Sequence, residues 1–182
     1  MANTIHNYQP YAHVVHLLQD ILDTSGEVDS FPFYIRDMEP SDLLLLDLRE
    51  EQKKTLTEHV TADWAVRAHA WINLITPMNY AIFHGHELLM LITIKEEVKG
   101  VADVSFLTDT NFVSASRAVK IAIIKAMHRT IMEIPFHRIQ AKVDSTFVIG
   151  RNFVEKMGLT EEGVLKSYGH NGDDYIMYGL VK

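Results

Sequence analysis

Residues 101–143 read "VADVSFLTDTNFVSASRAVKIAIIKAMHRTIMEIPFHRIQAKV", and their apolar spacing changes twice. Across 101–107 apolar and polar residues alternate, the pattern of a strand with one buried face. From 114 the period lengthens to that of a helix. Val119, Ala122, Ile123, Ala126 and Thr130 share one stripe, and Ile121, Ile124 and Ile131 widen it. This predicts a helix over 114–131 that is covered on more than one side. After Pro135, the stretch 136–143 returns to strand composition. A strand, a helix and a strand in this order form a crossover, so the two strands should lie parallel and the connection should be right-handed.

Upstream, "NYAIFHGHELLMLITIKEEVKGVADVSFL" (79–107) holds three apolar, partly alternating runs. Gly85 and Gly100 separate them and can take the positive φ of a tight hairpin, so an antiparallel three-strand meander is expected. Downstream, "FVIGRNFVEKM" (147–157) reads as a helix ended by Gly158. "EEGVLKSY" and "DYIMYGLV" read as a last hairpin joined through "GHNGDD". Toward the start, "FPFYIRDM" (31–38) suits a strand. Pro40 suits the first turn of a helix that continues through "SDLLLLDLREE". A second helix over 61–75 would bury Trp64, Ala68, Trp71, Ile72 and Ile75 before Pro77 stops it. Ahead of all this, "YAHVVHLLQDIL" (11–22) spaces Val14, Leu17, Leu18, Ile21 and Leu22 as a helix, and "DTSGEVDS" breaks it. The expected fold is α+β: a single mixed, mostly antiparallel sheet flanked by helices, spanning 31–182, with an N-terminal helical extension over 1–30.

The chain has 182 residues, 47% hydrophobic and 23% charged, which fits one globular core. It has no cysteine, so thiol nucleophiles, disulfides and thiolate metal sites are excluded. A net charge of -7 argues against nucleic-acid binding, which depends on lysine and arginine meeting phosphates. There is no signal-peptide pattern and no apolar run of about 20 residues, so a soluble cytoplasmic protein is expected, with no membrane partner.

The order of elements, together with "VEKMGLTEEGVLKSYGHNGDDYIMYGL", resembles the GNAT (Gcn5-related N-acetyltransferase) superfamily. The L-E-K-x-G-F-x-x-E-G pattern of that family appears as Val154, Glu155, Lys156, Met157, Gly158, Leu159, Glu162 and Gly163. Within the superfamily the chain is similar to short acetyltransferase-like proteins of tailed bacteriophages, whose first helix resembles "LREEQKKTL". The resemblance covers about residues 31–182 and implies an acetyl-CoA site where the strands 101–107 and 136–143 splay apart. The family's Gln/Arg-x-x-Gly-x-Gly/Ala phosphate loop falls on Val113, Ser114, Ala115, Ser116, Arg117 and Ala118. Serine and alanine keep the loop small, Val113 brings no polar group, and Arg117 and Lys120 add positive charge beside the helix N-terminus. Ser114 or Ser116 can equally serve as a helix N-cap. The family's pantetheine-contacting asparagine falls at Phe147, and its acid tyrosine at Val154. The implied activity is acetyl transfer to a small-molecule amine or a protein. The alternative is a non-catalytic protein of the same shape, working among phage virion proteins or against a host component. A homodimer fits either.

Acetyl transfer needs a base for the amine, and alternation along 101–107 puts Asp103 and Ser105 on one face, away from Ala102, Val104 and Phe106. Asp103 is the candidate base. Tyr168, Tyr175 and Tyr178 in the last hairpin are candidate acids by reach, with Tyr168 taken first. The ten histidines, including the pairs His13/His16 and His84/His86, lack a carboxylate at zinc-enzyme spacing and read as surface or turn residues. No G-x-S-x-G elbow supports a hydrolase triad. Lys125, His128, Arg129, His137, Arg138 and Lys142 form a basic cluster in sequence, read as a solvated helix end or a phosphate- or partner-facing patch.

Overall fold

The computed structural model describes residues 12–24, 31–48, 52, 78–169 and 171–182. Among the described residues there are seven strands, β1 (Phe33–Asp37), β2 (Asn79–His84), β3 (Glu87–Val98), β4 (Val101–Thr108), β5 (Arg138–Asp144), β6 (Thr160–Leu165) and β7 (Tyr175–Val181). They form one sheet in the order β1-β2-β3-β4-β5-β7-β6. Every neighbouring pair is antiparallel except β4 and β5, which are parallel as the crossover requires. Gly100 turns β3 into β4 with φ +80, and a Cβ there would lie 2.3 Å from His137 Nδ1. Both the conformation and the contact demand glycine.

The helices are α1 (Ala12–Asp23), α2 (Pro40–Leu45), α3 (Thr110–Ser114), α4 (Arg117–Glu133) and α5 (Val148–Lys156). Side-chain alternation divides the core between the two faces of the sheet. On one face Val14, Leu18 and Leu22 of α1, Ile123 and Met127 of α4, and Val154 of α5 pack on Ile82, Ile92, Val104, Ile139 and Tyr178. Each large apolar side chain buried here contributes about 1.5–3 kcal/mol. On the other face Leu43 of α2 and Leu48 cover Ala81, Leu88, Leu91 and Leu107.

Strand β1 is an edge, and α1 protects it with one side chain. Gln19 Oε1 accepts from the Ile35 N–H at 2.8 Å, and its Nε2 donates to the Phe33 carbonyl at 3.1 Å. The carboxamide thus pairs with the edge as a neighbouring strand would.

Two expectations change. The helix expected through 41–51 stops at Leu45: Leu46 is extended, and Leu48 forms an antiparallel bridge with Asp109. The pairing of 47–48 with the end of β4 outcompetes another helical turn. The helix expected over 114–131 starts at Arg117 as α4, after the separate short helix α3 that ends at Ser114, and Ile121 lies 40% exposed, so its stripe is narrower than read. The helix expected over 61–75 lies outside the described residues.

Candidate active site

Strands β4 and β5 pair only at their beginnings: Val101 with Arg138, Ala102 with Ile139, Asp103 with Gln140. Beyond that point 104–108 continue beside β3 and 141–144 beside β7, so a wedge opens between the parallel strands. The direction of the exposed backbone groups follows from the ladder. The Asp109 N–H donates to Leu89 on β3 at 2.9 Å, so alternate residues, Thr108 and Phe106, turn their N–H and C=O groups away from β3 and into the wedge. On the α5 side the wedge is lined by aromatic rings: Phe153 meets Phe106 and Phe112 edge-on, with centroids 5.5 and 5.8 Å apart.

Because β4 ends where the wedge is wide, the crossover starts α4 at that wide end. Ser116 is the N-cap of α4, its hydroxyl accepting from the Val119 N–H at 3.3 Å. The first-turn N–H groups of Arg117 and Ala118 have no side-chain cap among the described residues. Ser114 turns its hydroxyl back to the carbonyls of Thr110 and Asn111. Val113, Ser114, Ser116, Arg117 and Ala118 are exposed and Ala115 is half-buried. Lys120 donates from Nζ to the Val113 carbonyl at 2.6 Å, which leaves Arg117 as the loop's cation without a partner among the described residues. This arrangement can hold an anion: two unbonded amides, a helix dipole and one guanidinium.

At the narrow end, on the face away from α4, Asp103 and Lys142 meet across the wedge with Nζ to Oδ2 at 3.0 Å, both side chains largely buried. Burial pushes the Asp103 carboxyl above the usual carboxylate range despite the pull of the ammonium. Burial opposes charge on Lys142 as well, but the hydrogen bond and charge of Asp103 together leave its pKa raised. The second carboxylate oxygen, Oδ1, is buried with no hydrogen-bond partner among the described residues. A desolvated carboxylate with a spare oxygen is a stronger base than one in water. Ser105 is exposed two residues along the same face. Tyr168 lies with its ring centroid 6.0 Å from Lys142 Nζ and packs on Tyr175 at 5.4 Å. Ser167, in the left-handed region at φ 49 and held by Asp174 at 2.9 Å, turns Tyr168 toward this spot.

Asp103, Ser105 and Tyr168 therefore come together on one face, while 113–120 sit at the far end of the wedge. The other tyrosine candidates separate. Tyr178 is fully buried, accepting from Arg151 Nε and donating to Glu155 Oε1, each at 3.1 Å, which gives it a packing role. Val154 is buried in the core and Phe147 folds its ring over Gly150. The basic cluster disperses: Arg129 pairs with Glu133, Arg138 with Glu162 and Lys142 with Asp103, while His128 Nδ1 meets the Met157 carbonyl. Among the described residues no group of His, Asp or Glu is arranged to hold a metal, and no helix is long and apolar enough to cross a membrane.

The sequence places Lys142 only in the basic cluster, not beside Asp103, and does not single out Gln52. Lys142 carries a faint signal, since alternation on β5 sets it opposite the core residues Ala141 and Val143. Gln52 carries none. It is 5% exposed, and its carboxamide lies against the open edge of β4. Oriented to satisfy both its atoms, its nitrogen donates to the Thr108 carbonyl at 2.9 Å and its oxygen accepts from the Thr108 N–H at 3.1 Å.

A mixed seven-stranded sheet that splays between its two parallel strands, with a crossover helix starting at the opening, is the fold of the GNAT acetyltransferases. The chain is similar to a GNAT-family acetyltransferase from Bacillus anthracis, with 17% identity over 82% of this chain and 94% of that one, at a TM-score of 0.62. It is also similar to Mycobacterium smegmatis RimJ in complex with CoA-disulfide, with 16% identity over 82% of each chain and a TM-score of 0.58. A third is a mutant of the SpeG spermidine N-acetyltransferase from Vibrio cholerae, with 13% identity over 82% and 93% of the two chains and a TM-score of 0.59. No family profile and no curated protein match it by sequence.

Proposed function

We propose that the protein is an N-acetyltransferase that moves the acetyl group of acetyl-CoA to an amine of a small molecule or a protein. The observation that carries this reading is the wedge between β4 and β5, with the first amides of α4 at its wide end and Asp103 at its narrow end. The site residues fit an acyl-CoA at the phosphate end, where Ser114, Ala115, Ser116 and Ala118 are small and Arg117 and the helix dipole face an anion. Val113 offers the ligand no polar side chain. The Phe106, Phe153 and Phe112 rings give the arm an apolar wall.

In the reaction the acceptor nitrogen attacks the thioester carbonyl carbon, the new N–C bond replaces the C–S bond, and sulfur departs. Asp103 takes the proton that the nitrogen sheds, and Tyr168 protonates the sulfur. Lys142 holds Asp103 in place until the acceptor arrives. Acetyl-CoA is an intracellular compound, so this reading puts the protein in the cytoplasm. Titration calorimetry with acetyl-CoA tests it: absence of heat and of thermal shift at millimolar ligand overturns it. Thiol release is then measured with spermidine, alkylamines and short peptides.

The second reading, a non-catalytic protein of GNAT shape acting in a phage virion or against a host component, is favoured by the buried Val154 and the apolar Phe147 at two positions where the family's polar residues would stand. It requires that no thiol be released with any acceptor, whether or not an acyl-CoA binds.

A further inference from the structure

We infer that Gln52 is an internal competitor for the strand edge that an acyl-CoA arm would occupy, and so sets the affinity of the site for its ligand. The inference rests on the acetyl-CoA reading above. Its starting point is the open edge of β4. Beyond Asp103 this strand has no partner strand on the β5 side among the described residues, and without Gln52 the outward backbone groups of Thr108 would have no partner there. Gln52 meets them both, at 2.9 and 3.1 Å, with the Thr108 hydroxyl also 3.0 Å from the carboxamide. A primary amide is one peptide unit in hydrogen-bonding terms, a donor and an acceptor side by side. It therefore satisfies a lone strand residue as a single residue of a neighbouring strand does; on β1 Gln19 uses its carboxamide in a related way, spanning the Phe33 carbonyl and the Ile35 N–H.

The occupant is held there by the chain just before it. The Asp47 carbonyl accepts from the Thr110 N–H at 3.0 Å. The buried Asp109 carboxylate accepts from the Asp47 N–H at 2.7 Å while capping α3 through the Asn111 N–H. Leu48 is packed under the sheet. Asp47 and Leu48 are thus fastened to the end of β4, and Gln52 lies four residues beyond that anchor. An acyl-CoA arm is an extended chain with two secondary amides, and among the described residues the backbone groups that β4 turns into the wedge belong to this same edge. Ligand amide and Gln52 carboxamide cannot both bond Thr108, so binding requires the side chain to swing off and costs the bonds it gives up.

The test uses the full chain and two variants: Gln52→Met, which keeps the volume without an amide, and Gln52→Ala. Amide hydrogen exchange without ligand reads the contact alone, and Thr108 should exchange faster in both variants than in the wild type. Titration with coenzyme A should then show roughly tenfold tighter binding to the variants, the order expected from one or two hydrogen bonds no longer lost. Equal affinity, or weaker binding by the variants, overturns the inference, the latter making Gln52 a ligand contact. Unchanged Thr108 exchange in a folded Gln52→Met protein also overturns it. If neither wild type nor variant binds coenzyme A at millimolar concentration while Thr108 exchange does respond, the acetyl-CoA reading itself fails and the inference falls with it, the strand-edge contact remaining as structure alone.

Discussion

Asp103 and Lys142 reach each other at 3.0 Å from two strands that stop pairing at that level of the sheet, so their ion pair bridges the narrow end of the wedge. The pair explains how a carboxylate can be buried there and still ionise. Removing the cation should make Asp103 harder to deprotonate, since burial alone would then govern it. For Lys142→Met we expect the acid limb of the pH–rate profile to move to higher pH. An unmoved limb would mean that Asp103 is not the group titrating.

Asp103→Asn keeps the shape and removes the base. If the proton of the acceptor passes to Asp103, turnover should fall by about 10²–10⁴-fold with little change in coenzyme A affinity. The acid limb should vanish with it. Full activity in this variant would reassign the base.

Arg117 is exposed at the start of α4 without a partner among the described residues. Reversing its charge with Arg117→Glu should weaken coenzyme A binding roughly three- to tenfold at low salt, and less as salt rises. Calorimetry at two ionic strengths reads both effects. An affinity independent of residue 117 would move the phosphate site away from this helix end.

Tyr80 lies 2% exposed in the core. Burial, with the charge of Asp37 adding, pushes its phenol from 10.0 up to about 12. The folded protein keeps a proton that the unfolded chain gives up, so this contribution to stability is complete below pH 10 and is lost as pH rises toward 12. Its size is on the order of 2 kcal/mol. Denaturation midpoints of Tyr80→Phe should therefore fall less steeply than wild type over this window.

Asp42 is completely buried and grips Arg36 with both oxygens, at 2.5 and 2.7 Å, while accepting from the Glu39 N–H at 2.7 Å. Asp42→Ala leaves a half-buried guanidinium and a backbone donor without their acceptor, and should cost about 2–4 kcal/mol in urea denaturation. A loss below about 0.5 kcal/mol would mean the pair behaves as an exposed one.

Periodicity alone determined most of the fold. The change from alternating to helical spacing and back over 101–143 settles a parallel crossover, because short-range geometry dictates which residues can share a buried face. The same alternation set Asp103 and Ser105 opposite Val104. Local spacing could not decide where α2 ends, since Leu46 and Asp47 suit a helix until Asp109, far along the chain, offers a better partner for the backbone. Nor could it show that β4 and β5 part after Asp103, that Lys142 reaches across, or that Gln52 lies on the edge of Thr108. Those contacts join residues tens of positions apart, and their energy exists only once the sheet has closed around them.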